Sequence, residues 1–329
     1  MSGVLRKIKV TPLAAESLGA RSMCTLVETP DVSVLLDAGV SLSPYRFNLP
    51  PHPIEFQTIS RLRRSIAQAA DKATVTTISH YHYDHYTPSF EDWLVNWTQN
   101  IETARQIYHD KTVLIKNPKE NINPRQRQRA WMFQRTGGRC AKSVEAADGR
   151  TFSFGNTKLH FSEAVFHGSE DSGLGWVIMV TVEHDDERFM FSPDVQGPMS
   201  ECTCELILAT KPQLIILGGP PLYLGGSRVD VAKLEKGLLN LERIVEVVPL
   251  VVLEHHALRD ELWRSKAERV FQKAMESGHV LQTAAEYTGA ENMFLESKRI
   301  QLYDDHPPSD EFKEWVKTLN NTKIAKPPI

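Results

Sequence analysis

The run His80-Tyr81-His82-Tyr83-Asp84-His85 puts three imidazoles and one carboxylate within six consecutive residues. Imidazole nitrogens with a carboxylate suit a divalent metal, zinc first, with manganese or iron as competitors. The spacing adds to the residue types. The β-branched run at 74–79 reads as a short strand, and side chains alternate along extended backbone. His80 and His82 therefore project to the same side and can share one ion. Asp84 and His85 follow as the chain turns, where they can face a second ion. Thr87-Pro88 then reads as a helix start, with Thr as N-cap and Pro at the first helical position.

Elements that could position these groups recur along the chain. Residues 8–12, 22–28 and 32–37 read as three antiparallel strands, and 40–53 as an ordered, Pro-rich loop that walls a cleft. Residues 54–72 have the pattern of an amphipathic helix, with Arg61, Arg63 and Arg64 on a basic outer face. One or two helices are expected within 90–108, a strand at 112–115 and a helix at 124–135, the most basic stretch of the chain. Hairpin patterns follow at 151–166 and 176–192. The apolar runs 214–217 and 247–253 read as buried strands, with helices at 229–245 and 259–277. Strand after strand ends in a ligand-type residue: the 80–85 motif, His167, Asp194, and the pair His255-His256. Four such ends in one chain point to a metal site.

The 80–85 motif resembles the signature of the metallo-β-lactamase superfamily. Its Tyr-rich form followed by Thr-Pro-Ser looks like an uncharacterised, mainly archaeal branch of predicted hydrolases. The resemblance spans roughly residues 5–260. It implies a four-layer αββα sandwich, an α/β fold, as one domain over 1–329 with an inserted basic helical segment near 117–139 and a C-terminal extension near 279–329. It implies that His80, His82 and His167 hold a first metal. Asp84, His85 and one of His255 or His256 hold a second, with Asp194 bridging. Adjacent residues on a strand face opposite sides, so only one of the histidine pair can serve; His256, nearer the strand's end, is favoured, with His255 kept as the alternative. Ser33-Val-Leu-Leu-Asp37-Ala-Gly39 resembles the superfamily's second strand, making Asp37 either a group that orients a ligand histidine or a turn-starting Asp before Gly. The inserted segment would overhang the cleft, as a basic lid over a phosphate-bearing substrate or as a surface helix with dispersed arginines.

The implied cofactor is two divalent ions, zinc favoured. A metal-bound water has its pKa lowered to ~7, which gives hydroxide at neutral pH, with Asp84 and Asp194 as the catalytic carboxylates. The reaction is then hydrolysis, favouring a phosphodiester or other small anionic ester of small-molecule or nucleotide type. Thioester or lactone hydrolysis is the alternative on the same fold, and a non-catalytic metal-binding scaffold or regulatory protein the alternative of another class. A net charge of −3 gives no indication of nucleic acid. No signal-peptide pattern or membrane-length apolar run occurs, so a cytoplasmic location is expected. In an intracellular chain the thiols of Cys24, Cys140, Cys202 and Cys204 are expected reduced, and Cys202-x-Cys204 is not a zinc-knuckle spacing.

Overall fold

Two β-sheets stack face to face with helices on both outer faces, in a computed structural model that describes residues 4–319 and 324–329. The Asn-x-Thr glycosylation pattern at 320–322 lies outside the described residues. The first sheet runs in chain order: β1 (Lys9–Pro12), β2 (Thr25–Glu28), β3 (Ser33–Leu36), β4 (Val75–Ile78), β5 (Thr112–Ile115) and β6 (Ser143–Ala146). Its first three strands are antiparallel, and β3 to β6 pair in parallel. The chain continues through β7 (Thr151–Phe154), β8 (Thr157–Phe161), a two-stranded ladder of β9 (Val165–Phe166) with β10 (Trp176–Val177), β11 (Val180–His184), β12 (Glu187–Ser192), β13 (Leu214–Gly218), β14 (Leu250–Glu254) and β15 (Val280–Gln282). The second sheet has the order β15-β14-β13-β12-β11-β8-β7. This is the αββα sandwich that the resemblance implies.

The layers follow from alternation along the strands. Val34 and Leu36 point into the inter-sheet core, and Leu35 points out to the helices. In the second sheet Leu214, Ile216, Leu250 and Val252 face inward, while Ile215, Leu217, Val251 and Leu253 face the outer helices. Both faces of β13 and β14 are covered, which is why these strands are continuously apolar. Over the first sheet lie α1 (Pro53–Ala70), α2 (Ile101–Tyr108) and α3 (Pro124–Arg135). Over the second lie α4 (Glu201–Thr210), α5 (Val231–Val247) and the helix Glu268–Glu276. No described helix is long and apolar enough to cross a membrane.

Several elements differ from the sequence expectation. No helix starts at Thr87. Its hydroxyl donates to the Ala38 carbonyl and accepts from Arg63 Nη1 at 2.6 Å, and its N–H donates to Tyr108 Oη at 2.9 Å. Thr87 is thus committed to tertiary partners instead of a helix cap. Arg63 is likewise not on a solvated face: it is buried, and it donates to the Val40 and Asn96 carbonyls, whereas Arg61 and Arg64 are exposed. Residues 117–139 form the crossover between the parallel neighbours β5 and β6, with Ala130 and Phe133 in the core. The helix expected over 259–277 is divided into Trp263–Lys266 and Glu268–Glu276.

The C-terminal region ties distant parts together. It supplies the edge strand β15 and puts Phe312 and Trp315 into the core beneath α1. Arg299, fully buried, makes two bonds to Glu55 of α1, at 2.8 and 2.7 Å, and donates to the Ser43 and Leu49 carbonyls of the 40–53 loop. That loop is thereby ordered.

Gly39, just after β3, brings two segments into close approach. A Cβ there would lie 2.3 Å from the Tyr86 nitrogen and 2.6 Å from the carbonyl carbons of Asp84 and His85. Gly39→Ala should destabilise the fold by about 1–3 kcal/mol, the usual range for overpacking, and displace the 80–86 loop. Thermal unfolding beside the parent protein checks this; an unchanged Tm would mean that the loop can retreat freely.

Candidate metal centre

The four strand-end motifs meet at one edge of the sandwich, where β4, β12 and β14 run out into loops. Asp194 sits at the centre with 1% of its surface exposed. Its Oδ2 lies 2.9 Å from His167 Nε2, 3.3 Å from His80 Nε2 and 3.9 Å from His82 Nδ1. Its Oδ1 lies 3.2 Å from His85 Nε2 and 3.1 Å from His255 Nε2, and Asp84 Oδ2 is 3.3 Å from that same His255 nitrogen. One carboxylate thus divides the donors into two sets. His80, His82 and His167 face one oxygen; His85 and His255 face the other, with Asp84 completing the second set beside His255. Each set has ligand atoms within 4.8 Å of one another.

Asp37 holds the rings in place from behind. Its Oδ2 accepts from His85 Nδ1 at 2.8 Å, which leaves His85 Nε2 to face Asp194. The same carboxylate accepts from the Ser79 hydroxyl and, at 2.8 Å, from the Ser79 N–H. Ser79 Oγ lies 3.0 Å from His80 Nδ1 in turn. A hydrogen bond at one ring nitrogen fixes which nitrogen is presented at the other. Of the two sequence readings of Asp37, the geometry matches the orienting one. Asp37, Asp194 and His255 all adopt left-handed backbone, with φ of 46°, 44° and 68°. Asp and His tolerate that region better than most residues, yet strain of ~1–3 kcal/mol each is typical and tends to gather at functional sites.

Electrostatics separate the two sets. Burial, reinforced by the nearby His85, holds the His80 imidazole well below its ordinary pKa, so a free lone pair is available. Burial also lowers His82 and, strongly, His256. Burial opposes ionisation of Asp194, but the fields of His255, His85 and His167 outweigh it and hold the carboxyl well below the usual range. His85 is raised well above its ordinary value, because Asp194 and Asp37 overcome its burial.

The donors fit a cation. His85 Nε2, His167 Nε2 and Asp194 Oδ1 are buried with no hydrogen-bond partner. His167 Nε2 and Asp194 Oδ2 are 2.9 Å apart, yet this ring nitrogen is not satisfied, since close contact without hydrogen-bond alignment leaves it unpaired. Buried polar atoms left this way are costly. Atoms that converge on common points without bonding one another are what divalent ions would satisfy.

The doubled histidine departs from expectation. The preference for His256 assumed extended backbone, but β14 ends at Glu254, and a 3-10 turn covers His255–Arg259. The left-handed His255 swings its ring to the Asp84 and His85 side. His256 also lines the cleft, with its ring 6.1 Å from that of His167, its Nδ1 buried and unpartnered, and a ligand atom within 4.8 Å of those of Asp194 and His255.

No protein-family model matches the chain. It is 43% identical over 295 residues to a UPF0282 protein of Methanopyrus kandleri, an alignment covering 90% of this chain and 99% of that protein. A UPF0282 protein of Korarchaeum cryptofilum is 39% identical over 309 residues, covering 94% and 99%. The chain belongs to the UPF0282 family. Similar solved structures include the metallo-β-lactamase fold protein YhfI from Bacillus subtilis, with TM-score 0.49 and 14% identity over 87% of this chain and 98% of that one.

In this UPF0282 chain the cleft over the donors has a volume of about 350 Å³, with Leu42 and Pro44 of the 40–53 loop among its walls. Three arginines line it: Arg21, Arg129 and Arg259. The sequence reading singled out the segment that holds Arg129 but missed the other two, along with Ser79. Arg259 lies four residues after His255, a spacing that becomes meaningful only once the chain is known to turn at Glu254. Asp37→Asn keeps the shape but removes the charge that orients His85. It should weaken metal binding about 10–100-fold, the usual cost of losing such a partner, with little change in far-ultraviolet circular dichroism. Titration with zinc against a chelating indicator measures it, and parental affinity would show that Asp37 does not orient the ring.

Proposed function

We propose that this protein is a hydrolase with two divalent metal ions, zinc favoured, acting on a phosphodiester or another small anionic ester in the cytoplasm. The supporting observation is the division of donors by Asp194, one carboxylate oxygen to each set. His80, His82 and His167 would hold one ion, and Asp84, His85 and His255 the other, with Asp194 between them. Ions held there would supply Lewis acidity and acidify a water molecule.

The remaining roles belong to the chain's own groups. Asp84 is only partly buried and lines the cleft, so it is placed to take a proton from an attacking water. His256 lines the same cleft and can hydrogen-bond a leaving oxygen. The arginines favour an anion, though not equally. Arg21 is paired with Glu296 at 2.6 Å, and Arg259 is paired with Glu16. Arg129 Nη1 instead donates to the Tyr81 carbonyl at 3.1 Å, which leaves its charge available to substrate. Arg61, Arg63 and Arg64 do not line the cleft, so the anionic reading rests on Arg129.

Elemental analysis of natively purified protein should give about two transition-metal ions per chain. His255→Ala should remove one of them and nearly all turnover. His256→Ala should keep both and lose at most about 10–100-fold in rate. Hydrolysis of bis-p-nitrophenyl phosphate, with none of thioesters or lactones, would support the phosphodiester reading. The opposite pattern would favour the carboxylic one. Metal-loaded protein inert on the whole panel, and unchanged by Asp84→Ala in metal content and stability, would leave the scaffold reading.

A further inference from the structure

A second pocket adjoins the metal cleft. It has a volume of about 360 Å³ and shares Tyr83 and Arg129 with the cleft as a common wall. Its origin lies in the motif itself. His80 and His82 turn toward Asp194, while Tyr81 is buried in the core and Tyr83 stands between the cleft and this pocket. Tyr83 and Tyr86 carry this pocket's inner wall, continued by Phe90 and joined to α3 through Phe133. These rings form an unbroken chain: Phe90 to Tyr83 at 5.5 Å, Tyr83 to Tyr86 at 5.5 Å, and Tyr86 to Phe133 at 6.0 Å between centroids. The opposite wall is α3, which presents Arg125, Gln128, Arg129 and Met132.

The helix is fixed in this position. Gln126 accepts from the Tyr81 N–H at 3.2 Å and donates to the Leu174 carbonyl at 2.9 Å, and Asn123 donates to the same carbonyl at 2.8 Å. The Arg129 guanidinium lies 4.1 Å from the centre of the Tyr83 ring and holds the Tyr81 carbonyl. Neither partner neutralises it. A cation stacked on an aromatic face thus stands between a cleft fitted for metal ions and a slot walled by aromatic rings. Rings in the slot offer stacking and edge contacts to a flat apolar group. The guanidinium offers paired donors to an anion.

We propose that this side pocket binds the aromatic group of an aryl or heteroaryl phosphate ester, whose phosphoryl group lies in the metal cleft against Arg129. The inference rests on the hydrolase reading for its orientation, and it narrows the substrate class from anionic esters in general to aromatic ones. The tyrosine between His82 and Asp84 then has a role: it couples the ligand loop to the group that the substrate carries. The basic crossover helix is a wall of the substrate site.

The test is a binding comparison that does not depend on turnover. Phenyl phosphate and ethyl phosphate are titrated into the metal-loaded protein by calorimetry. Phenyl phosphate should bind about 10–100-fold more tightly, the gain expected from burying one ring. Gln128→Trp, at an exposed position of α3, should fill the pocket and remove that preference while leaving ethyl phosphate affinity unchanged. Phe90→Ala, at a position 41% exposed, should reduce the preference in the same direction. Arg129→Gln should weaken both esters, and Arg129→Lys should restore part of the loss. Equal affinity for the two esters, binding of neither, or a preference untouched by both pocket variants would overturn the proposal. Loss of hydrolysis on every phosphodiester with the phenyl preference intact would instead remove the hydrolase reading and keep the pocket. Efficient hydrolysis without the preference would do the reverse.

Discussion

A carboxylate with 1% of its surface exposed, ringed by His80, His85, His167 and His255, is the constraint on which the rest depends. Burying an ionised Asp costs far more than burying a neutral polar group unless opposite charge compensates it. The surrounding rings cannot all supply that charge. Burial and His85 hold His80 neutral, so the compensation falls on the His85 and His255 side. On the other side, His80, His82 and His167 turn ring nitrogens toward Asp194 Oδ2. A donor set that converges in this way is suited to a cation.

The sandwich exists to deliver these groups to one edge. Asp37, the 80–85 motif, Asp194 and His255 each follow the end of a strand, and the strands are held by two outer helical layers and a common inter-sheet core. The Ile178 N–H donates to the Ser79 carbonyl at 3.1 Å, which joins the two sheets beside the site. Left-handed backbone at Asp37, Asp194 and His255 is the local cost of turning each side chain inward. Close approach is needed as well. A Cβ on Gly218 would lie 2.7 Å from the Asp194 nitrogen, so the end of β13 must be bare for the Asp194 loop to pass.

Much of this was legible in the sequence because it obeys simple periodicities. The apolar runs of β13 and β14, the antiparallel start, and the ligand-type residues at strand ends all follow from alternation and burial. What was not legible depends on tertiary partners. Thr87-Pro88 has the local form of a helix start, but Thr87 bonds to Ala38, Arg63 and Tyr108 instead. Arg63 sits one residue from Arg64 in the sequence, and only the structure reveals which is buried and which is solvated. Which ring of the doubled histidine faces Asp84 was not legible from alternation, for a definite reason. The alternation rule holds for extended backbone, and His255 is the first residue for which it does not.

The arginine behind the second donor set bears on how many ions the site can hold. Arg259 Nη2 lies 3.8 Å from Asp84 Oδ2 and 3.2 Å from His255 Nε2, so it brings positive charge to the place where a second ion would sit. Left alone, that charge would oppose the ion. It is not left alone, because Arg259 Nε donates to Glu16, which is itself buried. Beside this pair, Arg21 is clamped by Glu296 through two bonds of 2.6 Å. Two buried carboxylates, one from the 3-10 turn Glu16–Leu18 and one from the C-terminal region, thus cancel two arginines at the back of the cleft. Arg259 and Glu16 thus offset each other, and the Asp84 carboxylate keeps its negative charge toward the cleft. Without Glu16 the Arg259 charge would stand uncompensated beside the second donor set. The two-ion reading therefore depends on a residue from the N-terminal part of the chain that touches no candidate ligand except through Arg259 and the His255 ring.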